Sequence, residues 1–198
     1  MLCPSVPVCL CLLFCFGPLC LCPLRCRLQP TAGDLIMKQA FIGIGSNIGD
    51  RRKNCIEAVE RLKEIRGCEF IGCSRWYLTS PVGLKDQDWF VNGVASLGAE
   101  VSARDLLERL LSVEAAMGRV RSEKWGPRVI DLDLLLYGSD ITDEKDLKIP
   151  HPYMHVRRFV LAPLAEVAPD VIHPVLGKTA SQILQELRGE DQQVTLLE

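Results

Sequence analysis

The chain has 198 residues, enough for one domain with a substantial core. Lys and Arg number 23 against 25 Asp and Glu, so there is no basic excess of the kind that general nucleic-acid or acidic-membrane binding needs. Hydrophobic residues make up 48%, which places the chain among folded globules rather than disordered segments. The first 36 residues differ in character from the rest. "MLCPSVPVCLCLLFCFGPLCLCPL" carries no charge before Arg25, and hydropathy alone makes it a signal peptide or a membrane span. Against both readings stand the lack of a basic segment ahead of it, the lack of an A-x-A-like cleavage site, and four helix-interrupting residues, Pro4, Pro7, Pro18 and Pro23. A mis-assigned start is preferred for this leader, ahead of a targeting segment and, last, a membrane anchor. Met37 in "MKQAFIGIG" reads as a start, and residues 37–198 as the working domain.

Cys3, Cys9, Cys11, Cys15, Cys20, Cys22 and Cys26 all lie in the leader. Cys55, Cys68 and Cys73 form neither a disulfide framework nor a C-x-x-C metal pair, which points to a reducing compartment, the cytoplasm.

Along the body, "QAFIGIG" (39–45) is apolar and β-rich and reads as a buried strand, with its glycines read as turn residues. Asp50 can cap the helix that follows, in which Ile56, Val59, Leu62 and Ile65 recur on one face. Residues 68–79 read as a second strand and 88–101 contain a third. Residues 102–118 read as a second helix, with Ser102 as N-cap and Gly118 at its end. "RVIDLDLLLYG" (128–138) is the fourth strand. The order β-α-β-β-α-β predicts an α+β, ferredoxin-like core: an antiparallel sheet with both helices on one face. C-terminal helical additions follow, one starting near Met154 and one over 179–187.

The fourth strand carries the chemistry. Side chains alternate, so Asp131 and Asp133 project to one face about 7 Å apart, while Leu132, Leu134 and Leu136 face the helices. Paired carboxylates suit Mg²⁺, a hard cation that prefers oxygen ligands. D-x-D alone also fits a solvated strand face. Arg119, Arg121, Lys124 and Arg128 precede the pair, however, and guanidinium groups beside a metal site make a polyphosphate clamp. Neither a P-loop nor a G-x-G-x-x-G fingerprint occurs.

"RVRSEKWGPRVIDLDLLLYG", "IGIGSNIGDR", "YLTSPVG" with "DWFVNGV", and "IPHPYMHVRRFVLAPLAEVAPD" together resemble the 6-hydroxymethyl-7,8-dihydropterin pyrophosphokinase family of folate biosynthesis, in order, from about Lys38 to about Leu187. The resemblance implies pyrophosphoryl transfer from ATP to the pterin's hydroxymethyl group, releasing AMP, with two Mg²⁺ ions held by Asp131 and Asp133. It gives Arg119, Arg121 and Arg128 contacts to phosphate, and places Trp125 in a loop that closes over the substrates. Phe90 and Phe159 would stack on the pterin and Asn92 would read its edge. Thr79, Ser80 and Val82 would add loop contacts, and Glu114 an acid lining the site. His151 and Arg157 match ATP-contacting positions. The stretch from Arg121 to Trp125 is one residue shorter than in the best-known bacterial pattern. Leu111, Asp146 and Pro152 also depart from it near the nucleotide. ATP and the pterin are the expected partners, with no nucleic acid, no membrane for the mature domain, and a monomer. The rival readings are a non-catalytic nucleotide-binding module and an RNA-binding module. The first has no need of paired acids beside an arginine cluster, and the second would show aromatic motifs on central strands and a basic surface.

Overall fold

The computed structural model describes residues 37–82, 87–119, 126–187 and 192–198. The leader, Arg121 and Trp125 lie outside these residues. In chain order the elements are β1 (Lys38–Ser46), α1 (Arg51–Lys63), β2 (Cys68–Cys73), β3 (Tyr77–Thr79), β4 (Phe90–Ala99), α2 (Ala103–Ala116) and β5 (Asp131–Tyr137). The short hairpin of β6 (Thr142–Asp143) and β7 (Lys148–Ile149) comes next, then a 3-10 turn at Met154–Val156 and α3 (Arg158–Val167). A second hairpin, β8 (Ile172–His173) and β9 (Lys178–Thr179), leads to α4 (Ala180–Glu186) and β10 (Val194–Leu196).

The main sheet is antiparallel and runs β10-β3-β4-β1-β5, with β2 also on β4. Strand β1 lies inside the sheet, between β4 and β5, and the core follows the expected β-α-β-β-α-β order with the second strand divided in two, so the fold is α+β. Alternation along β1 divides it between two cores. Ala40, Ile42 and Ile44 join a cluster with Cys55, Val59 and Leu62 of α1 and Leu106 and Leu110 of α2. Phe41 points the other way, into a second cluster with Val94, Leu135, Leu136, Val160 and Leu164 of α3, and Ala180 of α4. The sheet is therefore covered on both faces, α1 and α2 on one and the C-terminal helices on the other. Among the described residues, no helix is long and apolar enough to cross a membrane.

Local chemistry explains the element ends. Gly49 adopts φ 65°, open to glycine at little cost, and the Asp50 carboxylate accepts the Lys53 amide at 3.0 Å to cap α1. Ser102 Oγ does the same for α2, accepting from Asp105 at 3.1 Å. Gly118, at φ 84°, ends the turn after α2 and sends the chain back toward β5.

Four local expectations are corrected. Residues 68–79 form two strands, not one, because the chain breaks at Ser74, whose hydroxyl accepts the Val94 amide at 3.0 Å and replaces a ladder bond. Ile56 points to solvent at 46% exposure, since the buried face of α1 is Cys55, Ala58, Val59 and Leu62. Gly43 and Gly45 are strand residues, not turn residues. Leu136 does not share a face with Leu132 and Leu134. The β1–β5 register pairs Ile42 with Leu134 but Phe41 with Leu136, so Leu135 is an extra residue and the alternation flips there. Leu135 and Leu136 both pack under α3, and Tyr137 turns back toward the first cluster.

Candidate active site

A cavity of about 310 Å³ opens on the sheet face that α3 covers only in part. Its floor is strand β1. Gly43 and Gly45 occupy the same face as Phe41, one and two pairs along, and as glycines they leave the space above them free. A Cβ on Gly45 would lie 2.7 Å from Asn92 Oδ1, so no larger residue fits without moving that amide. On one side of the floor, Gly45 pairs with Asp131 and Gly43 with Asp133. On the other side, Gly45 pairs with Asn92 and Gly43 with Val94. The register alone thus sets two carboxylates across a bare strand from an amide.

Asp131 is not left uncompensated. Its Oδ1 is 2.6 Å from an Arg119 guanidinium nitrogen, and its Oδ2 accepts from Arg128 at 2.7 Å. Arg119 also donates to Glu114, which is buried at 2% exposure and accepts the Leu132 backbone amide at 2.7 Å. Glu114 therefore couples α2, the β5 backbone and Arg119. Burial raises the Glu114 carboxyl, opposed by the Leu132 amide and Arg119. For Arg119 burial acts to lower the pKa, but Asp131 and Glu114 together outweigh it and raise it. Arg128 is held through its backbone: its amide donates to Asn47 Oδ1 at 2.7 Å, and its carbonyl accepts the Asn47 amide at 3.1 Å.

Asp133 has a different environment. Burial first, then the charge of Asp131, raises its carboxyl to about 7, against the opposing pull of Arg157 and Arg128. His151 is pushed the other way, to about 4, by burial and then by Arg157, and is neutral near pH 7. Its Nδ1 accepts the Tyr153 amide at 3.3 Å, which leaves the proton on Nε2. The His151 amide in turn donates to the Leu135 carbonyl at 2.9 Å, pinning the residue beside β5.

The rings of Phe90, Tyr153 and Phe159 line the same cavity, each near a cation. The Arg128 guanidinium carbon lies 6.0 Å from the Phe90 ring centroid, and that of Arg157 lies 5.6 Å from Phe159 and 5.1 Å from Tyr153. Asn92 is buried and donates to Thr79 Oγ1 at 2.6 Å, which fixes its orientation across the floor.

A second cavity of about 290 Å³ adjoins the first. Leu107, Leu111 and Leu147 give it an aliphatic side, and Lys145, Asp146 and Lys148 a charged one. The two cavities share Arg119, Asp131, Asp133 and His151.

Of the site residues expected from sequence, Arg119, Arg128, Asp131 and Asp133 line the first cavity together with Thr79, Ser80, Val82, Phe90 and Asn92. His151, Arg157 and Phe159 complete that wall. Glu114 does not line it. Its carboxylate is turned toward Leu132 and Arg119 and borders the second cavity, because the end of α2 lies on the opposite face of β5. Arg121 and Trp125 fall outside the described residues. Sequence reasoning missed Gly43 and Gly45, Tyr153, Asn47, and Gln87, whose Oε1 accepts from Asn47 Nδ2 at 3.1 Å. The glycines could have been found from the alternation of the first strand, which puts them on the face opposite Ile42 and Ile44. Nothing in the sequence signals the amide contacts.

The model of the 7,8-dihydro-6-hydroxymethylpterin-pyrophosphokinase (HPPK) family matches residues 41–169, which hold all the cavity-lining residues expected from sequence. The chain belongs to the HPPK family. It is 45% identical over 152 residues to the 2-amino-4-hydroxy-6-hydroxymethyldihydropteridine pyrophosphokinase of Methylorubrum extorquens, covering 76% of this chain and 94% of that one. It is 42% identical over 142 residues to the enzyme of the same name from Pseudomonas aeruginosa, covering 70% and 86%. A solved Plasmodium falciparum HPPK-DHPS structure with pteroate superposes with a TM-score of 0.63 over 76% of this chain and 42% of that one. At 16% identity, that match speaks for the fold alone. As an HPPK the chain is a pyrophosphoryl transferase, acting from ATP on hydroxymethyldihydropterin in folate biosynthesis.

The opposite environments of the two acids give a test. The folded pKa of Asp133, about 7, lies above its ordinary value of 3.8, so the native state holds the extra proton between the two. Stability therefore falls as pH rises through that window and stays low above it. Asp133→Asn should raise the melting temperature in EDTA clearly at pH 8 and hardly at all at pH 4.5, where the wild-type acid is already neutral. Circular dichroism melts at the two pH values measure this, and an equal shift at both would mean that Asp133 is not held in the protonated form.

Proposed function

We propose that the two adjoining cavities seat the two substrates, the pterin in the first and ATP in the second, with Asp131 and Asp133 where the reacting groups meet. The observation that carries this reading is the shared wall. A two-substrate transfer needs its charge-handling groups between the substrates, and the cavities share two acids, a guanidinium and an imidazole. Phe90 and Phe159 would stack on the pterin, and Asn92, already oriented by Thr79, would offer donor and acceptor to its edge. Ser80 and Val82 would complete that end through the backbone. Arg119 and Arg128 would turn from Asp131 to the phosphate oxygens, joined by Arg121, and Trp125 would close over the substrates. Glu114 holds Arg119 and the β5 backbone in place rather than touching the pterin. His151, neutral and protonated on Nε2 and shared by both cavities, serves the nucleotide as a hydrogen-bond donor. Arg157, on the first cavity's wall near Asp133, would meet as a cation the phosphates that cross from the second cavity toward the pterin.

The donor set fits Mg²⁺. Among the described residues there is no group of three or more side chains of metal-binding type, so the protein would supply two carboxylates and leave the other positions to phosphate and water, as Mg²⁺ commonly accepts. The raised Asp133 carboxyl marks a place where a cation would relieve a real electrostatic cost. Two ions are proposed, held by Asp131 and Asp133, and their chemistry would be to neutralise charge gathering on the phosphate oxygens. The pterin hydroxymethyl oxygen then attacks the β-phosphorus and releases its proton to solvent. The bond from that phosphorus to the α–β bridging oxygen breaks, and AMP leaves with the electron pair. The arginines stabilise the charge, and closure keeps water from competing as acceptor.

Incubation with ATP, Mg²⁺ and 6-hydroxymethyl-7,8-dihydropterin should yield AMP, resolved by nucleotide chromatography, while ADP as the main product would exclude pyrophosphoryl transfer. Asp131→Ala and Asp133→Ala should each lower turnover by roughly a hundredfold or more, the scale of losing an electrostatic stabiliser. Full activity in either variant would reduce the pair to a structural feature. Phe159→Ala should weaken the pterin by about 1–3 kcal/mol, as loss of one stacking face does, and ATP much less. Separate titrations of the two ligands decide this, and equal losses would return Phe159 to core packing.

The working domain is proposed to start at Met37, which is supported by β1 beginning at Lys38 and by the packing of the Met37 sulfur against Gly98. A chain beginning at Met37 should fold and turn over like the full chain, as read by melting curves and AMP release. Loss of either property would assign residues 1–36 to the domain.

A further inference from the structure

We infer that Gln192 is a positioning residue for Arg157, acting from a C-terminal strap that lies beyond residues 41–169, the part matched by the family model. The inference rests on the reading of Arg157 as a cation serving the nucleotide. Arg157 occupies the junction between the 3-10 turn and α3, in extended backbone with φ −112° and ψ 105°, and its own side chain makes no cap bond to the helix. The Arg157 amide donates to the Met154 carbonyl at 3.3 Å, and its carbonyl accepts the Val160 and Leu161 amides at 3.1 and 3.0 Å, so the backbone holds each flanking peptide plane at one of its two polar groups. Gln192 takes the other group of both planes. Its Nε2 donates to the Val156 carbonyl at 3.0 Å, and its Oε1 accepts the Arg158 amide at 2.7 Å. One primary amide thus brackets Arg157, taking the carbonyl before it and the amide after it, as only a side chain carrying both donor and acceptor can.

The strap is held independently of that bracket. Strand β10 pairs with β3, the Ser80 amide donates to the Gln193 carbonyl at 3.0 Å, and the Gln193 amide donates to Ser80 Oγ at 3.1 Å. The Leu197 amide adds a bond to the Trp76 carbonyl at 2.8 Å. Removing the Gln192 side chain therefore leaves residues 193–197 in place and loosens only the junction, which keeps its own backbone bonds. Arg157 lies in the first cavity's wall between the rings of Tyr153 and Phe159, close enough to Asp133 and Asp131 for both to raise its pKa against the larger lowering effect of burial. A small swing at the junction is magnified along the long side chain, and the phosphates that reach the shared acids from the second cavity would meet a misdirected guanidinium.

The test is a double-mutant cycle on kcat/KM for ATP at saturating pterin, using Gln192→Ala, Arg157→Ala and the double variant. Gln192→Ala should lower kcat/KM about tenfold in the wild-type background, the scale of a small misplacement of a binding group. In the Arg157→Ala background it should cost less than about twofold, because the group it positions is gone. A purely structural helix cap would cost the same in both backgrounds, and that result, or no loss at all in the wild-type background, overturns the inference. If Arg157→Ala leaves kcat/KM unchanged, the role given to Arg157 is wrong and the inference falls with it. If Arg157→Ala is impaired and Gln192→Ala is not, only the bracket is wrong.

Discussion

Strand β5 has to be dry on one face and charged on the other, and the rest of the structure serves that requirement. Leu132 and Leu134 are buried, at 2% and 4% exposure, on the face that α2 covers. Each contributes about 2 kcal/mol of burial energy. On the same seven residues, Asp131 and Asp133 face a cavity. The two faces communicate through Glu114, which reaches from α2 to the Leu132 amide and to Arg119, and Arg119 then grips Asp131. A shift of β5 by one residue would put the acids into the leucine core and the leucines into the cavity. The bulge at Leu135 completes the arrangement. Beyond it the cavity-side face turns from acid to leucine, where α3 begins to cover the sheet.

The empty space is made by what β1 lacks. Phe41 fills its part of the face, while Gly43 and Gly45 leave theirs open between the acids and Asn92. The central strand still pairs on both sides through backbone bonds that need no side chain. The site therefore sits on a strand paired along both edges, and its loops need only complete it.

Much of this was legible in the sequence because it is periodic. The order of strands and helices, the caps at Asp50 and Ser102, and the shared face of Asp131 and Asp133 follow from spacing alone. The bulge was not legible, since a run of leucines carries no alternation to break. The division of residues 68–79 depends on a serine hydroxyl standing in for a ladder bond, a long-range choice. The glycine floor was read as turns because glycine marks turns more often than floors. Roles for Phe90, Phe159, His151 and Arg157 came from family resemblance, as an aromatic ring or a histidine in isolation reads as core or turn. Asn47, Gln87 and Gln192 were missed because amides bond backbone and side chains far away in sequence, and nothing in their spacing announces it.

The charged network is a poor device for stability. Asp133 is held at a cost that a leucine at the same position would not carry, and Arg157 is half-buried against its preference for solvent. The stability comes from the two apolar clusters, which grip β1 and β5 from opposite faces and hold the acids in register. Asp131 shows why the cost is accepted. Both its oxygens are engaged by guanidinium groups, each of which is also a good partner for a phosphate oxygen. On the proposed function, a triphosphate with its divalent cations would satisfy the arginines and both carboxylates at once, whereas the protein's own groups engage Asp131 and leave Asp133 with a raised pKa. The imbalance between two acids two residues apart is the electrostatic cost that a ligand carrying both signs of charge would relieve.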